Sequence, residues 1–324
     1  MVGLILGVIL GLTACAPLQF SVNLGDSGEA VREAVVLREG GRAKVAMIDL
    51  TGLIADVRTP ALLGVGSNPV DEFLERLEKA EEDNAVKAVI VRINSPGGTV
   101  VASDVLYDEI RRFRERSGKP VVASMGEVAA SGGYYVALAC DVIVAQESTI
   151  TGSVGVILQT VNFSEGLHRI GVKGRAVTSK ANKALANPFE PMEEGHYTIL
   201  QGLVDDMYGR FREKVVAARK GIPADRVDEV TDGRVFTGRQ AVELGLVDEL
   251  GGVREALARA KALADVERAS LVKYHDPAMT ARTPYARAPV TEESDRGFHL
   301  TLFQLDVGTL AGLGSSGAYY LWMP

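Results

Sequence analysis

The amino-acid sequence predicts an α/β protein in which a largely parallel sheet is covered by helices. From Lys44 onward, short segments rich in β-branched and apolar residues alternate with segments whose apolar residues recur at helical spacing. Glycine-rich turns directly follow two of the predicted strands. Strands that alternate with helices are typical of parallel sheets, because each helix carries the chain back to the edge where the next strand begins.

The first half of this pattern runs from residue 44 to residue 157. Strands are predicted where β-branched residues dominate, over 44–50, 88–95, 120–125, 141–145 and 149–157. Helices are predicted over 70–83, 100–116 and 131–139. In the second of these helices the apolar face comprises Val101, Val105, Ile110 and Phe113. Pro96, Gly97 and Gly98 are expected to stop the strand before it.

A long amphipathic helix is predicted over 193–219, ended by Gly221 and Pro223. An apolar stripe such as it carries is typical of a core or a subunit interface. The stripe comprises Tyr197, Leu200, Val204, Met207, Phe211 and Val215. Two further helices are predicted within 233–263. Beyond residue 266 the pattern changes, and the chain ends in the aromatic GAYYLWMP, which we interpret as an appended tail that docks on the body.

The first 20 residues, MVGLILGVILGLTACAPLQF, form an apolar run with the length of a signal segment. The LTAC that ends at Cys15 resembles a lipobox, in which a lipid is attached to the cysteine; the alternative is an uncleaved membrane anchor. Either interpretation places the body at a membrane, outside the cytoplasm. We divide the chain into this segment (1–15), a linker (16–43), a catalytic domain (44–265) and a C-terminal extension (266–324).

Composition excludes two classes of function. A net charge of −7 argues against a nucleic-acid-binding protein, which would carry a basic face. The chain has two cysteines, Cys15 and Cys140, and its four histidines are scattered, so no spacing points to a metal site. Cys140 lies in the apolar ALACDVIVA and is interpreted as a small buried residue.

Two glycine turns are the candidates for chemistry. NSPGG (94–98) stands between a predicted strand and a helix, and AASGGYYVA (129–137) repeats that arrangement one unit later. Ser131 would lie at a helix N-terminus, where free amides favour negative charge. Amides from both turns could then face one oxygen atom, which is what an oxyanion hole requires.

Five segments together resemble the signal peptide peptidase A family, in its short, single-repeat form. They are VRINSPGGTV, SMGEVAASGGYYVA, TITGSVGVI, TSKANKALANPF and GRVFTGRQAVELGLVDELGG, in the family's order over about residues 44–265. The resemblance implies a Clp-protease/crotonase-like fold, built from repeated β-β-α units, and a membrane-bound serine protease with a serine–lysine dyad.

The resemblance also assigns residues to roles. Ser131 matches the nucleophile, Lys183 the general base, Ser153 the residue that orients the lysine, and Gly98 and Gly132 the oxyanion donors. The family usually has serine–glycine where this chain has Ser179 and Lys180, so Lys180 is the rival base. An ordinary lysine, with a pKa of about 10.4, is protonated near neutrality, so a lysine base needs apolar surroundings without carboxylates. No Asp or Glu stands between Ala176 and Phe189.

The resemblance implies no cofactor, and it implies a ring-shaped homo-oligomer whose sites form where protomers meet. Expected substrates are remnant signal peptides and unfolded secreted or membrane polypeptides, with small or apolar side chains at the cleavage position. Two alternatives stay open. A crotonase-type acyl-CoA enzyme shares the fold and the paired amides, and a non-catalytic membrane scaffold could keep the fold for assembly.

Overall fold

The computed structural model describes residues 31–58, 68–275, 283–286 and 318–322. Its strands are β1 (Arg32–Leu37), β2 (Lys44–Ile54), β3 (Val86–Thr99), β4 (Val121–Ala130), β5 (Val142–Ala145), β6 (Ile150–Gly152), β7 (Val235–Thr237), β8 (Glu249–Leu250), β9 (Ser270–His275) and β10 (Tyr319–Leu321). In the described part of the chain these ten strands form one sheet, with a main path β1-β9-β2-β3-β4-β5-β8. Every pair from β9 to β8 on this path is parallel, which confirms the predicted α/β class.

Helices cover both faces of the sheet. They are α1 (Pro69–Glu82), α2 (Val100–Ser117), α3 (Gly132–Ala137), α4 (Ser164–Arg169), α5 (Glu194–Ala218), α6 (Val227–Val230), α7 (Gly238–Glu243) and α8 (Val253–Leu263). One apolar cluster joins α1 and α2 to the sheet through residues such as Phe73 and Phe113. A second cluster packs α8 on other residues of the sheet through Leu257. Burial of both faces explains why the central strands are nearly continuous apolar runs.

The predicted buried face of α2 is only half right. Ile110 and Phe113 are fully buried, but Val101 is 71% exposed and Val105 is 38% exposed. The helix instead buries the side that starts at Ala102 and continues through Leu106. Positions 102, 106, 110 and 113 are spaced by three or four residues and therefore share one side of a helix. Val101 and Val105 each precede a buried position by one residue and so lie off this side.

The strand predicted over 88–95 does not end at Pro96, so that prediction is wrong: the corresponding strand, β3, continues to Thr99. Gly97 and Gly98 pair with the end of β2 on one side and with β10 on the other. A Cβ atom on Gly98 would overlap the carbonyl oxygen of Ile54. The glycines therefore allow two neighbouring backbones to approach closely, rather than ending the strand.

The sheet extends beyond the limits that the sequence analysis set at residues 44 and 265. Strand β9 lies beside β2, and β1 covers the outer edge of β9. The buried Lys273 ammonium on β9 donates hydrogen bonds to Asp49 Oδ2 (2.5 Å) and to the carbonyl of Ala286 (2.7 Å). This pair attaches a piece of the C-terminal extension to the body.

Helix α5 buries less of its apolar stripe than a core helix would. Phe211 and Val215 are buried, whereas Tyr197 is 48% exposed and the other three residues of the stripe are half-buried. Within the described ranges no helix has the length and apolar character needed to cross a membrane. The segment 1–15, with Cys15, and most of the C-terminal extension lie outside the described residues.

Candidate active site

Ser131 stands where β4 ends and α3 begins, at the carboxyl edge of the sheet. It is the N-cap of α3, but its side chain makes no capping hydrogen bond. The side chain is 1% exposed, and its Oγ atom has no hydrogen-bond partner among the described residues. A buried hydroxyl without a partner is costly, and such groups in native structures often have a catalytic role.

The backbone at Ser131 is strained. Its φ of 52° and ψ of −114° lie outside the wells that a residue with a side chain prefers. Such a conformation costs about 1–3 kcal/mol and persists only where surrounding structure enforces it. Here the Ser131 amide donates to the carbonyl of Gly152 (2.8 Å), and the Tyr135 amide donates to the Ser131 carbonyl (2.8 Å). These bonds hold the backbone of Ser131 in this conformation.

Ser153 directly follows Gly152, whose carbonyl accepts the hydrogen bond from the Ser131 amide. Strand β6 pairs with the end of β4, with Gly152 opposite Ala130. Ser153 also has a positive φ of 52°, and its amide donates to the carbonyl of Arg234 (2.8 Å). The structure therefore brings the two serines predicted for the site to the ends of adjacent strands, and both are buried.

The two predicted oxyanion donors also come together. A Cβ atom on Gly132 would lie 3.0 Å from the amide nitrogen of Gly98 and 2.5 Å from Ser103 Oγ. A Cβ atom on Gly97 would lie 2.8 Å from the amide nitrogen of Gly132. Only glycines allow the end of β3 and the start of α3 to approach this closely. The Gly98 and Gly132 amides thus meet beside the nucleophile candidate, as an oxyanion hole requires.

The structure does not bring Lys183 to Ser131. Lys183 lies in a short 3₁₀ helix, Ala181–Ala184, and its side chain is exposed, as is that of Lys180. Among the described residues, the backbone hydrogen bonds of this region join its own members, as the Phe163 amide donates to the Pro188 carbonyl (2.7 Å). Residues 162–190 therefore form an exposed arm, which carries the candidate base away from the serine of the same chain.

Sequence reasoning missed one element of the site. Strand β10 lies antiparallel to the end of β3, with Tyr320 opposite Gly98 and Leu321 opposite Gly97. The tail was expected to dock, but its place beside Gly98 was not foreseen. The run of aromatic and β-favouring residues in AYYLW was the available signal for a strand.

The arrangement contains a buried hydroxyl, two neighbouring backbone amides and a sheet edge at which β10 pairs as an extended strand. These are parts of an acyl-transfer site, because a hydroxyl can attack a carbonyl whose developing charge the amides stabilise. Among the described residues of the single chain, no basic side chain is hydrogen-bonded to Ser131 Oγ.

Comparisons with known proteins agree with this geometry. Residues 113–267 match the model of peptidase family S49, and residues 63–152 match that of Clp protease. A Synechocystis sp. protein named as a protease is 39% identical over 73% of this chain and 80% of its own length. An Enterococcus faecium protein named as the signal peptide peptidase SppA is 35% identical over 74% of this chain and 69% of its own.

A plant relative shares the same region. The chloroplastic serine protease SPPA of Arabidopsis thaliana is 35% identical over 74% of this chain, which spans only 35% of that longer protein. The family match falls on the region that holds Ser131, Ser153 and Lys183. The resemblance drawn from the five sequence segments is thereby confirmed, and the chain belongs to peptidase family S49.

Proposed function

We propose that the protein is a membrane-associated serine endopeptidase that cleaves remnant signal peptides and unfolded secreted or membrane polypeptides with a Ser131–Lys183 dyad. The observation that carries the proposal is the Ser131 hydroxyl, which is buried on strained backbone beside the Gly98 and Gly132 amides and has no hydrogen-bond partner in the described ranges. The name of the Enterococcus faecium relative supports the substrate class.

The proposed reaction uses these groups in two steps. The neutral amine of Lys183 takes the proton from Ser131 Oγ, which attacks the peptide carbonyl carbon, and the Gly98 and Gly132 amides hold the resulting oxyanion. The lysine ammonium then protonates the leaving amine as the C–N bond breaks. The same amine, neutral again, deprotonates a water molecule whose oxygen attacks the acyl carbon. The bond to Ser131 Oγ then breaks, and Oγ takes the proton back from the lysine. Ser153 orients the lysine amine without adding negative charge.

We further propose that the base comes from a second copy of the chain. The arm 162–190 exposes Phe163, Ile170, Val177 and Phe189, and the adjoining half of α5 exposes Tyr197 and Leu203. A surface this rich in large apolar side chains is typical of a protein–protein interface. In a ring-shaped homo-oligomer, the arm of one copy could carry Lys183 to Ser131 of the next.

A fluorophosphonate probe tests the proposed nucleophile. We expect the probe to label the full chain covalently, because only an activated serine attacks phosphorus at a useful rate. Labelling should be lost in the Ser131→Ala protein. Ser103→Ala, which removes a neighbouring buried hydroxyl, is the matched control and should keep the label. An unlabelled wild-type chain would favour the scaffold, and turnover of acyl-CoA without labelling would favour the crotonase-type enzyme.

We propose that the N-terminus holds the protein at a membrane, with the catalytic domain outside the cytoplasm. If Cys15 carries a lipid, Cys15→Ser should move the protein from the membrane fraction to the soluble fraction, as measured by fractionation and fatty-acid labelling. Cys140→Ser is the control, because burial raises the pKa of the Cys140 thiol and keeps it unreactive. Membrane-bound Cys15→Ser protein would favour the uncleaved anchor. A chain beginning at Ser21 that still binds membrane contradicts both modes.

A further inference from the structure

Strand β10 is hydrogen-bonded to β3 as an extended peptide would be. The Val100 amide donates to the Ala318 carbonyl (3.2 Å), and the Trp322 amide donates to the Pro96 carbonyl (2.9 Å). Hydrogen-bonded pairs alternate along an antiparallel ladder, so Tyr320, in register with Gly98, belongs to the same bonded set. The Tyr320 carbonyl therefore faces the Gly98 amide, and a Cβ atom on Gly97 would overlap that carbonyl oxygen.

The opposite edge of β10 is held as well. Tyr319 exchanges two backbone hydrogen bonds with Ile157, each 3.0 Å long. The three-residue strand thus lies between the end of β3 and the segment that follows Ser153. Backbone bonding on both edges binds a peptide of any sequence, so selectivity must come from the pockets that receive its side chains.

One such pocket holds the Tyr320 side chain, which is 1% exposed. Its ring stacks on Tyr135 at 4.9 Å between centroids and contacts Phe211 at 4.8 Å. Tyr107 meets Tyr135 edge-to-face at 5.4 Å. At the far end of the pocket, the Tyr320 hydroxyl donates to the carbonyl of Met207 (3.2 Å). We call Tyr135 and Phe211, the two rings that contact Tyr320, the aromatic cage, and Tyr107 supports the Tyr135 ring from behind.

The cage is attached to the elements that carry the proposed chemistry. Tyr135 lies one turn after Ser131 on α3, and its amide bonds to the Ser131 carbonyl. Tyr107 is on α2, which begins two residues after Gly98, and Phe211 is on α5. The Tyr135 hydroxyl is tied to Asp104, so the wall of the cage has a fixed position. A residue whose ring lies in the cage therefore has its backbone carbonyl at the Gly98 amide.

We propose that the aromatic cage selects extended peptides with an aromatic side chain at the residue whose carbonyl faces Gly98. Tyr320 of the chain itself occupies the cage as an internal competitor. This inference rests on the proposed function, since it takes Gly98 as an oxyanion donor. It differs from the small or merely apolar side chain expected at the cleavage position, because stacked and edge-to-face rings favour an aromatic partner beyond the area that they bury.

Peptide binding tests the selectivity without catalysis. The full chain carrying Ser131→Ala and Tyr320→Ala, with an unchanged melting curve, is titrated into labelled peptides followed by fluorescence anisotropy. We expect GAYYLW, the sequence of residues 317–322, to bind about tenfold or more tightly than GAYALW. GAYYAW is the matched control and should stay within about threefold of GAYYLW, because neighbouring side chains of a strand point to opposite faces.

Two further chains separate the cage from general stickiness. With Phe211→Leu added, the preference for GAYYLW over GAYALW should fall to about threefold or less, because an apolar wall remains but a ring is lost. Tyr135→Leu, which removes the ring that stacks on Tyr320, makes the same test should the Phe211 variant fail to fold. The Ser131→Ala chain that keeps Tyr320 should bind GAYYLW more weakly than the chain without it. Equal affinity for the two peptides, or no binding to the Tyr320→Ala chain, overturns the proposal.

Turnover distinguishes this proposal from the proposed function. With Ser131 intact and Tyr320→Ala, hydrolysis of both peptides at equal kcat/KM would leave the peptidase standing and sink the cage. Selective binding of GAYYLW by a chain that neither hydrolyses peptides nor reacts with a fluorophosphonate would do the reverse.

Discussion

Ser131→Ala and Lys183→Ala should each lower kcat for peptide hydrolysis by about a thousandfold or more, because the hydroxyl and its base are each ineffective without the other. The double variant should be little worse than either single one, since groups that act as one unit are strongly non-additive. The measurement is steady-state cleavage of a quenched fluorescent peptide by the assembled, membrane-extracted protein. Size-exclusion chromatography shows that each variant assembles as wild type does.

Two variants serve as controls for this dyad. Lys180→Ala removes the rival lysine from the same exposed arm and should retain most activity. Ser153→Ala should have an intermediate effect, because it disorients the amine without removing it. A dead Lys180→Ala protein with an active Lys183→Ala protein would reassign the base. Peptide cleavage by folded, assembled Ser131→Ala protein would refute the dyad altogether.

Mixed assemblies of Ser131→Ala and Lys183→Ala chains should regain about a quarter of wild-type activity, although each variant alone is inactive. The reason is the position of Lys183, which is exposed on the arm 162–190, while Ser131 Oγ is buried with no partner among the residues that the structure describes. If one copy supplies the serine and its neighbour the lysine, a quarter of the junctions in a random mixture carry both intact groups.

This experiment uses two differently tagged chains expressed together and purified through both tags. The matched control combines wild-type chains with chains that carry both substitutions. A dyad within one chain would leave about half of its sites active there, whereas a dyad between chains would leave about a quarter. Doubly tagged Ser131→Ala and Lys183→Ala assemblies that stay inactive would show that serine and lysine act within one chain.

The sequence by itself predicted the α/β class and the places where chemistry could occur. Strands were visible as short runs of β-branched and apolar residues, and helices by an apolar period of 3.6 residues, because both signals are local. Ser131 and Gly98 could be placed at one edge because the carboxyl ends of neighbouring parallel strands meet there. The segment around Ser131 also carried a family resemblance that the comparisons confirmed.

Contacts between distant parts of the chain left little trace in the sequence. The six residues of β9 have no period that distinguishes an inner strand from an edge strand. Their partner β2 is adjacent in space but distant in sequence. Pro96 and the two glycines after it suggested a turn, since proline and glycine are typical of turns. The other role of these glycines, which is to let backbones approach closely, becomes visible only when β2 and β10 flank them.

The same reason explains what only the tertiary structure decided about the site. The sequence determined which residue types were available: a serine between small residues, paired glycines and a lysine in a segment without carboxylates. Packing decided that Ser131 Oγ is buried with no partner in the described part of the chain, that Lys183 is exposed, and that Tyr320 fills the aromatic cage. Burial and pairing depend on every element that surrounds a group, so no short stretch of sequence encodes them.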